Sequence, residues 1–354
     1  MTGVLSYFRW PIGFTVLGLV MAFFLGYWAD GNWAGALSFL LIGSVLAVLE
    51  ISLSFDNAIV NANKLKDMTP EWQQRFLTWG ILIAVFGMRI VFPLAVVVIA
   101  ARIGPWEAIV LAAAEPDEYA RIMHDAHISI SAFGGTFLMM VALSYFIDED
   151  KEVDWVHTIE RRLRSWATIR GLEIVLVLGL ALLFVVNLPA DKGQEFLFAS
   201  VCGLLVFLLV ELLGQILDSA NEAQKAAAQG GLGAFLYLEV LDASFSFDGV
   251  IGAFALTQNL FLIAIGLGIG AFYVRSMTIM LVQKETLAEF RYLEHGAFYS
   301  ILALSFIMFA NSIWHVPELV TGLLGAGLIG LALMSSLRYR RLVDDERAGA
   351  PPGR

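Results

Sequence analysis

Long apolar stretches are the feature that most constrains what this chain can fold into. A helix that crosses a bilayer needs about 20 mostly apolar residues. The 354 residues are 59% hydrophobic and only 15% charged, whereas soluble domains carry about 25% charged residues. Stretches of the required kind lie at 10–28, 34–61, 76–101, 127–147, 171–190, 195–217, 232–257, 260–283, 296–314 and 317–337. The sequence therefore predicts an all-α polytopic membrane protein of about ten transmembrane helices.

Composition also excludes several classes of protein. The single cysteine, Cys202, rules out a disulfide framework and a thiolate metal site. The net charge of −10 includes carboxylates inside apolar stretches, so we do not interpret it as a nucleic-acid signal. The first apolar run, Ile12 to Trp28, is longer than the core of a usual signal peptide and lacks a clear cleavage site after it. We expect it to be an uncleaved span.

The distribution of lysine and arginine predicts the orientation. Basic residues favour cytoplasmic loops. With the N-terminus inside, most of the 22 basic residues lie in cytoplasmic segments, and only Arg102, Arg121 and Lys192 fall in external loops. We therefore expect both termini to be cytoplasmic and the protein to lie in the cytoplasmic (inner) membrane. The charged segment 148–170 should form a short extramembrane amphipathic helix, and the end of the tail 338–354 should be disordered.

The chain contains an internal repeat. Residues 50–59 read EISLSFDNAI and residues 242–251 read DASFSFDGVI, with five identical positions and an acidic residue at the start of each. Two further blocks follow in the same order, at 80–89 and 266–275 (G-x-x-I-x-x-F-x-x-R) and, more weakly, at 124–132 and 295–303. Three blocks in register indicate a duplication.

The repeat divides the chain into a first unit at 1–190, a second unit at 191–337 and a tail at 338–354. The acidic motifs lie at 50–59 and 239–251. Because each unit has an odd number of expected spans, the second must enter the membrane from the opposite side. Inverted repeats of this kind mark secondary transporters, whose sites lie near the midplane where interrupted helices of the two units meet.

Five carboxylates lie within or at the ends of apolar stretches: Glu50, Asp56, Glu239, Asp242 and Asp248. An ionised carboxylate at mid-bilayer costs at least about 2.5–3.5 kcal/mol, so each should face a cavity or a partner. Arg89 and Arg275, one in each unit, could neutralise two of the five. A divalent cation would offset most of the remaining negative charge.

The donor set of the motifs points to a hard metal ion. Carboxylate, hydroxyl, amide and carbonyl oxygens suit Mg²⁺, Ca²⁺ and Mn²⁺. If the backbone unwinds at the motifs, these groups can point into one cavity. The predicted metal ligands are Glu50, Asp56, Asp242, Asp248, Asn57, Ser54, Ser244 and Ser246. The predicted secondary or proton-coupling residues are Glu239, Arg89, Arg275 and Glu211. Whether His124, His127 and His295 bind metal stays open.

At these residues the chain resembles the TerC family of integral membrane proteins, within the superfamily of LysE-type exporters. Glu50 with residues 54–57 is similar to that family's E-x-x-L-S-x-D-N, and residues 239–248 are similar to its E-x-x-D-x-x-F-x-x-D. Arg89 and Arg275 stand where the family places an arginine in the next helix. The resemblance covers roughly 35–310. It implies metal-ion efflux, with Mn²⁺ as the favoured ion and an association with tellurium resistance. Gly249 stands where that family has serine, and the expected spans exceed its seven, as in a longer branch.

The sequence thus predicts a non-enzymatic exporter of a divalent cation, Mn²⁺ before Ca²⁺ or Mg²⁺, with no tightly bound cofactor. Its partners would be the lipid bilayer and the metal ion, without nucleic acid, and a homo-oligomer is compatible with the sequence. The alternatives are a membrane scaffold that assists maturation or metal loading of envelope proteins, and a component associated with tellurium resistance. An intramembrane hydrolase is poorly supported, because the H-E-x-x-H and G-x-S-x-G motifs are absent.

Overall fold

A computed structural model describes residues 4–66, 68–80, 83–148, 151, 153–166, 169, 171–219, 231–284, 290–314 and 316–349. Throughout these ranges the chain is helical, with turns and short connections and without a strand. The α-helices are α1 (Arg9–Asp30), α2 (Trp33–Leu53), α3 (Phe55–Leu65), α4 (Pro70–Arg75), α5 (Phe92–Ala101), α6 (Pro105–Ala114), α7 (Pro116–Asp125), α8 (His127–Ile147), α9 (His157–Ser165), α10 (Leu172–Val186), α11 (Ala190–Ser219), α12 (Leu232–Leu256), α13 (Leu260–Gln283), α14 (Leu293–Ala310) and α15 (Glu318–Gly349). A 3₁₀ turn covers Val4–Ser6, and π-helical segments cover Phe76–Gly80 and Ile83–Val91.

The outer helices expose apolar surface that only a lipid environment can cover. On α1, Trp10 is 76% exposed and Trp28 is 84% exposed, with apolar side chains exposed between them. Soluble proteins rarely carry so large an apolar surface. Within the described ranges, seven helices are long and apolar enough to cross a membrane: Arg9–Asp30, Trp33–Ser52, His127–Ile147, Ala190–Leu213, Leu260–Gln283, Leu293–Ala310 and Val320–Leu342. The chain is a multi-pass, all-α membrane protein.

Three of the expected spans do not meet this standard of length and composition. The stretch 76–101 is divided among π-helical and α-helical segments, and its apolar helix is Arg89–Val98. Helix α10, in the expected span 171–190, has only 15 residues. Helix α12 has 25 residues but carries the three carboxylates of the second motif. The connection after α5 contains α6 and α7, two helices that we did not predict.

The two motif helices differ in continuity. The first is interrupted at Ser54, which ends α2 and begins α3 with φ −100° and ψ 17°. Asp56 lies in the first turn of α3, where the positive end of a helix favours a carboxylate, and its Oδ1 accepts a 2.8 Å bond from the backbone N–H of Asn57. The interruption expected in the second motif is absent, because α12 runs unbroken from Leu232 to Leu256.

The helices that carry the repeated blocks pack in matched pairs. Helix α3 of the first motif packs against α14, and α12 of the second motif packs against α8. Likewise α14 packs against α15, and α8 packs against α10. Since α8 and α14 carry the third repeated block, each motif helix contacts the third-block helix of the other unit. The centre of the molecule is therefore built from both units.

The charged segment after α8 folds back onto the helix bundle. As predicted it contains a short helix, α9, whose Glu160 is fully buried. The carboxylate of Glu160 accepts bonds from Lys151 Nζ at 2.6 Å, the backbone N–H of Val156 at 2.9 Å and the Tyr299 hydroxyl at 3.1 Å. Burial alone raises the pKa of Glu160, but the bonds from Lys151 and Val156 outweigh it and hold the pKa below its ordinary value of 4.5. These contacts tie the segment to α14.

The end of the chain differs from the expectation. Helix α15 does not stop at the apolar boundary near residue 337 but continues through the basic residues to Gly349. At 1.5 Å per residue, its 32 residues reach about 48 Å, which exceeds the hydrocarbon thickness of a bilayer of about 30 Å. The predicted disordered end, 350–354, lies outside the described residues.

Candidate functional site

Two cavities border the first motif helix and share Glu50, Ser54 and Phe245 in their walls. They contain about 560 and 600 Å³ of space free of protein atoms, including space open to the surroundings. The polar residues of the first cavity are Glu50, Ser54, Asn57, Asn61, Arg89, Asp242, Ser246, Arg275 and Thr278. Those of the second cavity are Glu50, Ser52, Ser54, Asp56, Ser300 and Thr321.

Glu50 is held by a buried ion pair. Its carboxylate oxygen Oε1 accepts a bond from Nη2 of Arg89, and each residue is only 5% exposed. Arg89 also donates from Nε to the backbone carbonyl of Leu267 at 2.9 Å. Arg89 belongs to the π-helical segment Ile83–Val91. Such segments are rare in proteins as a whole, but those that occur are often at functional sites. One of the two arginine–carboxylate pairs expected from the sequence is therefore present.

The two motif aspartates whose side chains are described, Asp56 and Asp242, accept hydrogen bonds from uncharged side chains. Asp242 Oδ1 accepts a 2.8 Å bond from the side-chain amide of Asn61. Asp56 Oδ2 accepts a 2.8 Å bond from the hydroxyl of Ser300. Both bonds join the two units, since the paired residues are 181 and 244 positions apart. Asp242 and Asp56 are thus each held by a donor from the opposite half of the chain.

Glu239 lies beside the first cavity without a bonding partner. Both of its carboxyl oxygens are buried and accept no hydrogen bond among the residues that the structure describes. A Cβ atom added to Gly80, which lines the first cavity, would lie 2.6 Å from Glu239 Oε1. A side chain at position 80 would therefore require the carboxyl group of Glu239 to shift. The proton-carrying role expected for Glu239 stays a prediction.

The remaining predicted residues fall in different places. Ser54, Asn57 and Ser246 line the first cavity, as expected. Ser244 instead bonds within its own helix, to the carbonyl of Val240 at 2.9 Å, which is a common way to accommodate serine in a helix interior. Glu211 is exposed on α11 and lines neither cavity.

Sequence reasoning missed several residues of the site, among them Asn61, Ser300 and Phe245. Asn61 follows Asn57 by four positions and so lies on the same helix face, a spacing that could have identified it. Ser300 belongs to the third repeated block, but nothing local in the sequence links it to Asp56. Phe245, which is apolar, belongs to the walls of both cavities.

The described carboxylates do not form a ready-made metal centre in this conformation. Across the described side chains, no group of three or more His, Cys, Asp or Glu residues is arranged to hold a metal ion. The side chain of Asp248, a predicted ligand, lies outside the described residues. His295 Nε2 is 2.8 Å from the carbonyl oxygen of Val153, and the rings of His124 and His127 stack 6.3 Å apart.

The site offers oxygen ligands that are already bonded to other side chains of the protein. Glu50 and Asp56 are buried and Asp242 is half-buried among apolar helices, and each is neutralised or hydrogen-bonded by a side chain that another ligand could replace. The amide and hydroxyl groups supply neutral oxygens beside them. Such a set binds hard cations, and it lacks the thiolates that favour copper or zinc.

Comparison with known proteins places the chain in a family. No curated protein and no solved structure gave a match. The family described as "Protein of unknown function (DUF475)" matches residues 55–343. That range begins within the first motif and includes the whole of the second, and it leaves the resemblance to the TerC family as an expectation. Because the match covers well over half of the 354 residues, the chain belongs to the DUF475 family.

Proposed function

We propose that the protein is a transporter that exports a hard divalent cation, Mn²⁺ first among the candidates, across the cytoplasmic membrane by alternating access. The observation that carries the proposal is the pair of cavities with a common wall. Glu50 belongs to both cavities, Asp242 only to the first and Asp56 only to the second. An ion bound at Glu50 could therefore be coordinated from the first cavity together with Asp242, or from the second cavity together with Asp56.

The location of these carboxylates supports a functional role. Burying charge in an apolar bundle is costly, and intramembrane carboxylates generally mark ion pathways. The three carboxylates lie on two helices from opposite halves of the chain. One of these helices is interrupted at Ser54, which lines both cavities. Interrupted helices that meet near the midplane form the ion sites of transporters built from inverted repeats.

The protein's own donors supply a means of releasing the ion. Arg89, Asn61 and Ser300 bond to Glu50, Asp242 and Asp56 in the structure. A cation that binds these carboxylates must displace the donors, and the donors return when it leaves. The binding free energy is then the difference between ion coordination and bonds that the protein already makes, which keeps binding weak enough for turnover.

The proposed direction of transport and orientation in the membrane rest on the sequence. The distribution of basic residues favours cytoplasmic termini, and the resemblance to the TerC family implies efflux of Mn²⁺. With that orientation, the charged segment that contains α9 lies on the cytoplasmic side.

The test is uptake of ⁵⁴Mn²⁺ into inside-out membrane vesicles. Asp56→Asn and Asp242→Asn each keep the shape of the side chain but remove its charge, and we expect each to abolish uptake. Glu211→Gln makes the matched change at an exposed carboxylate that lines neither cavity, and it should transport like the parent protein. Unchanged uptake in both aspartate variants would show that the ion does not use this site.

A further inference from the structure

The first cavity contains two equivalent sets of acid and arginine. Glu50 and Arg89 come from the first unit, and Asp242 and Arg275 come from the second. Glu50 corresponds to Asp242 in the repeated motif, and Arg89 corresponds to Arg275 in the second repeated block. The repeat alone would therefore pair each acid with the arginine of its own unit.

Only one of the two pairs is formed. Arg89 bonds to Glu50, but Asp242 is held by the amide of Asn61. Arg275 lines the same cavity with its Nε buried and unbonded, and it makes no ion pair with any carboxylate whose side chain the structure describes. The two units are thus in different electrostatic states.

The sequence explains why the units differ. In the alignment of the motifs, Asn57 and Asn61 correspond to Gly249 and Ala253. Gly249 lies next to Glu50, since a Cβ atom there would be 3.0 Å from Glu50 Oε2. The first unit therefore places an amide beside Asp242 of the second unit. The second unit has only glycine and alanine at the equivalent positions, so it places no amide beside Glu50. Asn61 competes with Arg275 for Asp242, and Arg89 has no such competitor at Glu50.

Arg275 thus has no counter-ion among the described side chains, which is costly in a cavity between membrane helices, and arginine does not escape the cost by losing its proton. Pairing with Asp242 would relieve that cost. Because the two units are related by inversion, exchanging their conformations gives a state that faces the other side of the membrane. In that state the ion pair between Asp242 and Arg275 would be formed, and the ion pair between Glu50 and Arg89 would be broken.

We propose that Arg275 is a positioning residue that pairs with Asp242 in the state opposite to this one, and that Asn61 holds this pair open here. The inference rests on the proposed function, because it assigns the arginines to the two ends of a transport cycle. Each arginine neutralises the carboxylate of its own unit when the transported cation is absent. The two pairs then alternate, and Asn61 sets the balance between the two states.

The experiment measures which cavity is open, in proteoliposomes without any divalent metal. Cys202→Ser removes the native thiol, and Ser246→Cys or Thr321→Cys places a reporter thiol in the first or the second cavity. The rate of labelling by a water-soluble maleimide gives the relative access to each cavity. Asn61→Ala should change the ratio of the two rates by about tenfold or more, since tenfold is the lower end of the usual worth of a hydrogen bond to a charged group.

A double variant tests whether Arg275 causes the change in the labelling ratio. When Asn61→Ala is combined with Arg275→Gln, we expect the ratio to return to within about twofold of the parent value, whereas Arg275→Lys should retain part of the change. Asn63→Ala is the matched control, because Asn63 is on the same helix but bonds to Glu294 at 2.6 Å. It should leave the ratio unaltered.

Two outcomes would overturn the inference. One is an unchanged ratio in Asn61→Ala, and the other is a change of the same size with and without Arg275. Gel filtration verifies that each variant is folded, and Asn61→Ser, whose shorter side chain also loses the bond, replaces the alanine variant if that one is not. Because no metal is used, these outcomes are independent of whether Asp56→Asn and Asp242→Asn abolish ⁵⁴Mn²⁺ uptake.

Discussion

Replacing Arg89 by glutamine should destabilise the folded protein by about 3–5 kcal/mol, because it leaves the Glu50 carboxylate buried without its cation. Both side chains of this ion pair are only 6% exposed, so water cannot take the place of the arginine. Glu50→Gln should cost less, since Arg89 keeps its bond to the carbonyl of Leu267 at 2.9 Å. The double variant should lose less than the sum of the two single losses, by about 2 kcal/mol or more.

Unfolding in mixed micelles, titrated with SDS and followed by tryptophan fluorescence, gives the four free energies of this cycle. The matched control is the pair Glu118 and Arg121, whose side chains are 41% and 64% exposed, and whose coupling should not exceed about 1 kcal/mol. If the losses from Arg89→Gln and Glu50→Gln add to within about 0.5 kcal/mol, the buried pair is not an energetic unit and the reasoning is refuted.

Three further perturbations test the surroundings of the site. Ser300→Ala removes the hydroxyl that donates to Asp56 and should cost about 1.5–3 kcal/mol in the same titration; a loss below about 0.5 kcal/mol would contradict the bond. Gly80→Ala brings a methyl group against the flexible end of Glu239, which can move aside, so it should cost no more than about 1 kcal/mol; a loss above about 3 kcal/mol would show that the carboxyl group is fixed in place. Because the folded state lowers the pKa of Glu160, its stabilisation should be complete above the ordinary value of 4.5 and be lost as the pH falls below it. The protection factors of the α9 amides, which correct for the pH dependence of intrinsic exchange, should then fall on acidification in the parent protein but not in Glu160→Gln, and a parallel response in both would contradict this.

The class of fold and the main members of the site could be predicted because they leave local signals. Apolar length predicts helices that cross a membrane, and a repeated acidic pattern in such helices indicates where a cavity must be. The two motifs nevertheless behave differently: Ser54 interrupts the first helix, whereas Ser246, its counterpart, lies in an unbroken one. Shared motif residues do not decide this, because continuity depends on what packs against each helix.

The bonding partners could not be predicted for a different reason. Asn61 and Ser300 bond to aspartates that are 181 and 244 residues away, and a single sequence carries no record of such proximity. Helical periodicity gives the face on which Asn61 lies but not the residue opposite to it. That Glu211 lines neither cavity could not be predicted either, since depth along an apolar helix does not tell which way the side chain points. Its proton-coupling role stays a prediction.

The bonds between Asn61 and Asp242 and between Ser300 and Asp56 have a consequence for biosynthesis. When the ribosome has completed only the first half of the chain, Asp56 is already in the membrane but its hydroxyl partner has not been made. The half-made protein must keep this carboxylate near water or protonated until the second half arrives. The halves expressed as separate polypeptides should accordingly be degraded when alone and accumulate when produced together, as complementary fragments of one membrane protein.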